Sequence, residues 1–304
     1  MTLAVTLVAA ILIGVILGLL GGGGSILTVP VLVYIAGLPA REAIAMSLFV
    51  VGITAAIAVI RHARAGQVRW RTGLIFGLAA MTGAYAGGRV AGYIPGRWLL
   101  AGFAIMMVAT AVAMLRGRRD RTDRPMPHEL PIARGLVDGV VVGLITGVVG
   151  AGGGFVVVPA LVLLGGLPIA AAVGTSLLVI AMNSTAGLLG YLSSVHINWG
   201  LALAVAGAAV VGSVLGGRLA GKIGQDALRS AFGWFVVVMA AFMLLQQAPA
   251  AARHWLLTTP PGGAVLTATA LGVAAAGVLQ QRHRRAATKA ARDGPPPKTP
   301  AAVS

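Results

Sequence analysis

The sequence predicts an all-α polytopic membrane protein built from two homologous halves. Hydrophobic residues make up 58% of the 304 residues, charged residues only 10%, and the mean hydropathy is +0.93. So few charges could not cover a water-soluble surface. The block GLLGGGGSILTVPVLVYIAGLP, from Gly18, recurs as GVVGAGGGFVVVPALVLLGGLP, from Gly147. A duplicated apolar unit with paired helix-breaking segments is typical of a secondary transporter.

The repeat extends well beyond this block at a constant offset of 129 residues. It pairs Pro30 with Pro159 and Trp70 with Trp199, and GGRVAG from Gly87 recurs as GGRLAG from Gly216. The apolar runs reach the roughly 20 residues that a helix needs to span a bilayer, and we expect about 8–10 membrane segments. A β-barrel is excluded because these runs do not alternate apolar with polar residues.

We predict five parts along the chain. They are a first transmembrane repeat (3–115), a basic cytoplasmic connector (116–134), a second transmembrane repeat (135–247), an extra transmembrane segment without a counterpart in the repeat (262–280), and a disordered, basic, proline-rich tail (281–304).

Each half contains a short apolar segment after its glycine cluster. Residues 26–36 and their counterparts 155–165 each carry one proline. A helix of this length covers roughly 16 Å, about half of a hydrocarbon core. Because proline and glycine runs interrupt helices, we expect broken or re-entrant helices that line a polar cavity. A loop at the membrane surface is the alternative interpretation.

The basic residues account for the net charge of +16 and predict the orientation. They lie in the gaps between spans and in the tail, which is the positive-inside pattern. This placement argues against nucleic acid as a partner. Five crossings per half would make the halves inverted repeats, with the basic gap around Arg61, the connector and the tail in the cytoplasm. Four crossings per half would instead export the tail.

The glycine clusters are the predicted substrate-binding segments. Without side chains, they can expose backbone N–H groups and helix N-termini, which suit anions. Close helix packing is the competing use of such glycines. The predicted binding residues here are Gly21, Gly23, Gly24, Ser25 and Pro30, with Gly150, Gly152, Gly153, Gly154 and Pro159 in the second half.

Small polar residues on the helix after each cluster complete the predicted binding site. Ser47 and Thr54 are seven residues apart, close to two helical turns, and Ser176 and Asn183 repeat that spacing. Together with Thr175, they are predicted to line a path for a polar solute. Hydrogen bonding between helices is the alternative.

Three charged residues have candidate roles. Arg89 and Arg218 occupy matched positions near span ends, where arginine either clamps an oxyanion or anchors the helix at the interface. Asp138 is the candidate for proton coupling. The sequence contains no cysteine and no catalytic or metal-ligating set within the spans, which argues against an enzyme, a metal site and a cofactor.

On these residues the chain resembles the TauE/SafE family of membrane permeases, also called the sulfite exporter or 4-toluene sulfonate uptake family. The resemblance is carried by the doubled glycine–proline block with its trailing Gly-Leu-Pro, by Ser47-Leu48 and Thr175-Ser176-Leu177, and by the Gly-Gly-Arg blocks. It implies a multi-pass protein of the bacterial inner membrane that moves sulfur-containing or organic anions such as sulfite, thiosulfate and sulfonates.

The predicted function is therefore a secondary permease for small anions, driven by an ion gradient. The expected partners are the lipid bilayer, the anion and a coupling ion, taken to be the proton; a homo-oligomer stays open. An anion channel of the same architecture and a non-transporting membrane scaffold are the alternatives.

Overall fold

The computed structural model describes residues 2–20, 26–116, 132–150, 153–163, 167, 169–219 and 225–247. These residues form ten α-helices and no strand. The predicted extra segment 262–280, the tail and most of the connector lie outside the described residues. The helices are α1 (Thr2–Leu20), α2 (Thr28–Tyr34), α3 (Ala40–Arg64), α4 (Trp70–Ala91), α5 (Gly96–Arg116), α6 (Ile132–Val149), α7 (Gly154–Leu163), α8 (Ile169–Tyr191), α9 (Trp199–Leu219) and α10 (Gln225–Gln247).

The all-helical membrane class is confirmed for the described residues. Four helices are long and apolar enough to cross a membrane, and they run over Ala40–Arg64, Trp70–Ala91, Ala171–Tyr191 and Trp199–Leu219. Shorter apolar helices run over Leu3–Leu19, Gly96–Ala109, Gly135–Val149 and Val236–Gln247. Trp70 and Trp199 begin two of the long helices with roughly half of their surface exposed, which is typical of tryptophan at a membrane interface.

The helices α2 and α7 are the two short segments that the repeat predicts. They contain 7 and 10 residues, or about 10 and 15 Å of helix, against roughly 30 Å for a hydrocarbon core. Each carries the matched proline, Pro30 in α2 and Pro159 in α7.

Helices from opposite halves make the closest contacts in the bundle. A Cβ added at Gly14 of α1 would overlap the carbonyl oxygen of Ala209 in α9, and one at Gly18 would lie 2.8 Å from the amide nitrogen of Gly217. The matched pair is α6 and α4: a Cβ at Gly143 would overlap the carbonyl oxygen of Ala80. Small residues allow this backbone-to-backbone approach, which is a common way to join helices in lipid.

The order of these contacts gives the relative directions of the helices. Gly14 and Gly18 contact α9 at successively later residues, so α1 and α9 run parallel. Gly143 and Gly147 of α6 likewise contact α4 at successively later residues, so α6 and α4 are also parallel. The helices α3 and α9 are also parallel, because Phe49 stacks on Trp199 at one end and the Arg61 guanidinium covers Gly217 at the other.

The central helices α3 and α8 run antiparallel. Gly52 of α3 faces Ser184 of α8, whereas the earlier residue Leu48 faces the later residue Gly187. In contrast, α4 runs parallel to α8, since Gly73 meets Thr175 and Gly88 meets Gly190. The described helices therefore fall into two sets of opposite direction, α1, α3 and α9 in one, and α4, α6 and α8 in the other.

We expect Gly143→Ala to destabilise the protein by about 1–3 kcal/mol, because the new methyl group would have to displace the Ala80 backbone. The matched control is Gly207→Ala on α9, where an added Cβ would meet nothing within 4 Å. There the better helix propensity of alanine gives a change of zero to about 1 kcal/mol in the stabilising direction. Thermal unfolding in detergent measures both variants, and equal effects would contradict the close α4–α6 contact.

Candidate functional site

The predicted polar residues of the two halves lie on one pair of packed helices. Ser47 and Thr54 on α3, and Thr175, Ser176 and Asn183 on α8, are all at least 98% buried. The two helices cross antiparallel near Gly52 and Ser184, where the added Cβ of Gly52 would lie 3.3 Å from that of Ser184. The structure thus buries all five side chains between helices, and Thr54 and Asn183 lie within two residues of the crossing along their helices.

The turn between α6 and α7 lies against both halves. Gly150 and Gly153 have φ values of +74° and +76°, a left-handed backbone that favours glycine. A side chain at Gly150 would overlap Ile44 of α3, and one at Gly153 would lie 2.8 Å from the methyl group of Thr146. Conformation and close packing therefore both require glycine in the second cluster.

A hydrogen bond joins the last turn of α6, just before this connection, to α8. The Thr146 hydroxyl donates to the carbonyl of Val142 on its own helix (2.8 Å). Its oxygen therefore accepts, and the Asn183 side-chain Nδ2 donates to it at 2.6 Å. This arrangement defines the orientation of the amide and turns the Asn183 Oδ1 away from Thr146.

Four buried oxygens of hydroxyl and amide groups in the described part of the chain have no hydrogen-bond partner there. They are Thr28 Oγ1, Ser47 Oγ, Asn183 Oδ1 and Ser184 Oγ. The parent side chains are at most 2% exposed. Such groups are rare in folded proteins, and each costs about 1–3 kcal/mol unless a ligand or water satisfies it.

The matched positions of the two halves differ in their hydrogen bonds. The Ser176 hydroxyl donates to the carbonyl of Val173 (2.8 Å), whereas that of its counterpart Ser47 has no partner. The Thr54 hydroxyl donates to the carbonyl of Val50 (2.8 Å). Thr175 accepts a hydrogen bond from the backbone N–H of Arg69 (2.9 Å) at the start of α4. We call these buried polar residues on α3 and α8 the polar centre. Its hydrogen bonds differ between the two halves, although the two halves share one sequence repeat.

The remaining predicted binding residues belong to the two glycine–proline segments. Pro30 is buried in α2, Gly154 begins α7, and Pro159 lies within α7. Gly21, Gly23, Gly24, Ser25 and Gly152 lie outside the described residues. The role of both segments in binding stays a prediction.

The three charged candidates lie away from the polar centre. Arg89 and Arg218 are exposed in the last turns of α4 and α9, which end at opposite ends of the bundle. Asp138 is half-buried on α6, eight residues before Thr146, or about 12 Å along the helix axis.

Sequence reasoning missed two buried hydroxyl groups, Thr146, which binds Asn183, and Thr28 in α2. Thr146 is the only hydroxyl residue of α6 and comes one helical turn before Gly150, so its spacing from the glycine cluster was the signal. Thr28 lies at the start of α2, two residues before Pro30. Thr28 is significant because it is buried, and its burial could not be predicted from the sequence.

The chemistry of this centre is that of neutral hydroxyl, amide and backbone groups. Within the described residues, no group of three His, Cys, Asp or Glu side chains could hold a metal ion. Hydroxyls and backbone N–H groups donate hydrogen bonds to an anion in place of its hydration shell. The arrangement suits the reversible binding of a small polar solute.

Comparison with known proteins agrees with a transport site. The family described as "Sulfite exporter TauE/SafE" matches residues 6–243. A "probable membrane transporter protein" of Xylella fastidiosa is 35% identical over 243 residues, covering 78% of this chain and 92% of the relative. Proteins with the same description from Methanocaldococcus jannaschii (32% identity, 60% of this chain and 72% of the relative) and Bacillus subtilis (27%, 74% and 89%) are also similar. No solved structure matches the chain.

We expect Thr146→Val to destabilise the protein by about 1–3 kcal/mol, because the buried Asn183 amide would lose its acceptor. The control is Thr82→Val, the same chemical change on α4, where the exposed hydroxyl donates only to Ala79 of its own helix. That variant should stay within about 0.5 kcal/mol of the wild type. Thermal unfolding in detergent measures the difference, and equal stabilities of the two variants would contradict the buried hydrogen bond.

Proposed function

This chain belongs to the sulfite exporter TauE/SafE family of membrane transporters, and on that premise we propose that it is a secondary permease for small anions. The observation that carries the proposal is a set of three buried hydroxyl groups without a partner among the described residues, Ser47 and Ser184 near the α3–α8 crossing and Thr28 in α2, each of which can donate a hydrogen bond to an anion. A helix bundle in lipid does not retain such groups for stability alone. Sulfite, thiosulfate and sulfonates are the proposed substrates, on the strength of the family description and the small hydroxyl-lined centre.

The proposed transport mechanism uses two inverted halves. Support comes from the helix directions: α1 runs parallel to α9, α6 runs parallel to α4, and α3 runs antiparallel to α8. In this arrangement α1, α3 and α4 each have the direction opposite to that of their counterparts α6, α8 and α9. Inverted repeats can exchange conformations across the membrane plane, which gives alternating access to one central site.

We further propose that both short segments cross the membrane and do not re-enter it. The helices α1 and α3 are both parallel to α9, so the chain between them must return from one end of the bundle to the other. The same reasoning applies between α6 and α8, which are both parallel to α4. Residues 21–39 and 150–168 would then each complete one crossing with a glycine–proline break inside it.

The proposed orientation places the end of α3 in the cytoplasm of a bacterial cell, with the protein in its inner membrane. Arg61, Arg64, Arg69 and Arg71 surround the α3–α4 turn, and basic loops favour the cytoplasmic side. The end of α9, with Arg218, lies at the same end of the bundle because α9 is parallel to α3. An extra crossing at 262–280 would return the basic tail to the cytoplasm.

Coupling to the proton gradient is proposed through Asp138. Its carboxyl group is half-buried on α6, the helix that also carries Thr146 and the turn at Gly150. Protonation of Asp138 would act on the α6–α7 break, about 12 Å away, because α6 carries Asp138 and ends at that break. Direct contact of Asp138 with the substrate is not part of this proposal.

We expect radiolabelled sulfite or thiosulfate to enter proteoliposomes with saturable kinetics and to respond to an imposed proton gradient. Ser47→Ala should lower the flux at subsaturating anion about tenfold, because a buried hydroxyl donor to the anion is worth about 1–1.5 kcal/mol. Ser193→Ala, in the exposed α8–α9 turn, is the control and should match the wild type. Linear, gradient-independent flux would favour a channel, and no flux in sealed vesicles would contradict the proposed substrates.

We expect a membrane-impermeant maleimide to label Ala65→Cys and Ser194→Cys from opposite sides of the membrane. These residues are equivalent in the repeat and exposed in the α3–α4 and α8–α9 turns. The natural chain has no cysteine, so each variant carries a single thiol. Labelling of both from the same side would overturn the inverted arrangement, and labelling of Ala65→Cys only from outside the cell would reverse the proposed orientation.

A further inference from the structure

Arg41, near the start of α3, is a half-buried cation that is not among the residues of the proposed binding site. Its Nε and Nη2 both donate to the carbonyl oxygen of Ile94, at 3.1 and 2.8 Å. Ile94 lies in the connection between α4 and α5, 53 residues away along the chain. Two hydrogen bonds to one backbone oxygen hold the plane of the guanidinium in one orientation.

One edge of this guanidinium has no partner in the part of the chain that the structure describes. An arginine has five N–H donors, and the two on the Nε–Nη2 edge are used on Ile94. The other edge, formed by Nη1 and the second N–H of Nη2, is the fork that binds carboxylate-like and sulfonate-like oxygens in a bidentate manner. Among the described residues, Arg41 forms no ion pair with a carboxylate.

The surroundings place Arg41 at the α6–α7 break. Ile44, one helical turn further along α3, packs against Gly150. The hydroxyl of the fully buried Tyr191 donates to the carbonyl of Val148 (2.7 Å), two residues before Gly150. The contact of Ile44 with Gly150 therefore ties the start of α3 to the end of α6, and the hydrogen bond of Tyr191 ties the end of α8 to the same place.

The repeat shows that this cation is not a structural requirement of the architecture. The equivalent residue in the second half is Ala170, so α8 begins without a charge at the matched position. Arg97, another arginine at the same end of the bundle, lies exposed over the Trp98 ring. Arg41 therefore has no charged counterpart in the repeat. It also differs from Arg97, because it is half-buried and donates two hydrogen bonds to a backbone carbonyl group.

We propose that Arg41 is the anion-selecting residue of this permease, a specificity determinant that receives an oxyanion at the mouth of the α6–α7 break. The inference rests on the proposed function. The free edge of its guanidinium binds two oxygens of the anion before the anion reaches the hydroxyls at the α3–α8 crossing. A divalent oxyanion gains more from this charge than a monovalent one of similar size.

The test compares Arg41→Gln with Arg97→Gln in proteoliposomes, with thiosulfate and methanesulfonate as divalent and monovalent probes. Arg41→Gln should raise the KM for thiosulfate about tenfold or more, since a charge-assisted hydrogen bond is lost. The KM for methanesulfonate should rise less, and Arg97→Gln should change either value by less than about twofold. A role limited to anchoring Ile94 would lower the maximal rate for both anions equally.

The outcomes separate this inference from the proposed function. No saturable flux from the wild type overturns the permease itself. Normal wild-type flux with the same KM values in both variants overturns only the role of Arg41.

If Arg41→Gln does not fold, the wild-type protein provides the test. Thiosulfate should slow the reaction of phenylglyoxal with Arg41 but not with Arg97, as measured by peptide mass spectrometry. Equal reaction rates with and without thiosulfate would overturn the proposal.

Discussion

Glycine-mediated backbone contact between helices of opposite halves is the interaction on which the architecture depends. In lipid, apolar side chains gain little by burial against one another, so helices associate through close packing and polar contacts. Gly14, Gly18, Gly143 and Gly147 each bring one backbone against that of a helix from the other half. In this way α1 and α6 are exchanged between the halves, each packing its backbone against a helix of the other half. In the proposed inverted arrangement, this exchange requires the chain to cross back at both glycine–proline segments.

The polar centre follows from this packing. Backbone contact between the outer helices brings α3 and α8 together along their length, and their small polar residues become almost completely buried. Some of these groups satisfy one another, as Thr146 and Asn183 do. Others, such as Ser47 and Ser184, have no protein partner among the described residues. A protein that only needed stability would be expected to carry alanine at such positions. The remaining hydrogen-bonding capacity of these hydroxyl groups is what the proposed site would use to hold a desolvated anion.

Much of this organisation could be predicted from the sequence because it depends on composition and repetition. The membrane class follows from the scarcity of charge, and the two short helices follow from Pro30 and Pro159 within matched apolar blocks. The burial of Ser47, Thr54 and Asn183 follows from their spacing on apolar helices. The structure places them on one packed helix pair, and their role in binding stays a prediction.

The pairing of helices could not be predicted, since a helix that is apolar on every face does not indicate its neighbour. The exchange of α1 and α6 depends on which glycines meet which carbonyl groups. Thr146 and Arg41 were missed for a related reason: their significance lies in the bonds to Asn183 and Ile94, far away in sequence. Arg89 and Arg218 were candidates for clamping an oxyanion or anchoring a helix because they are matched charges, yet they are exposed at opposite ends of the bundle. Sequence repetition identified the equivalent positions of the two halves, but the asymmetric contacts that distinguish a site required coordinates.

The measurement that tests the central claim most directly is solute counterflow in proteoliposomes. Vesicles loaded with unlabelled thiosulfate are diluted into a trace of the labelled anion, with no ion gradient imposed. A permease with one site and alternating access should accumulate the label transiently above its external concentration, because each outward trip of unlabelled anion returns the site for an inward one. Label that only equilibrates, without overshoot, in vesicles that conduct thiosulfate would contradict alternating access and indicate a continuous pore.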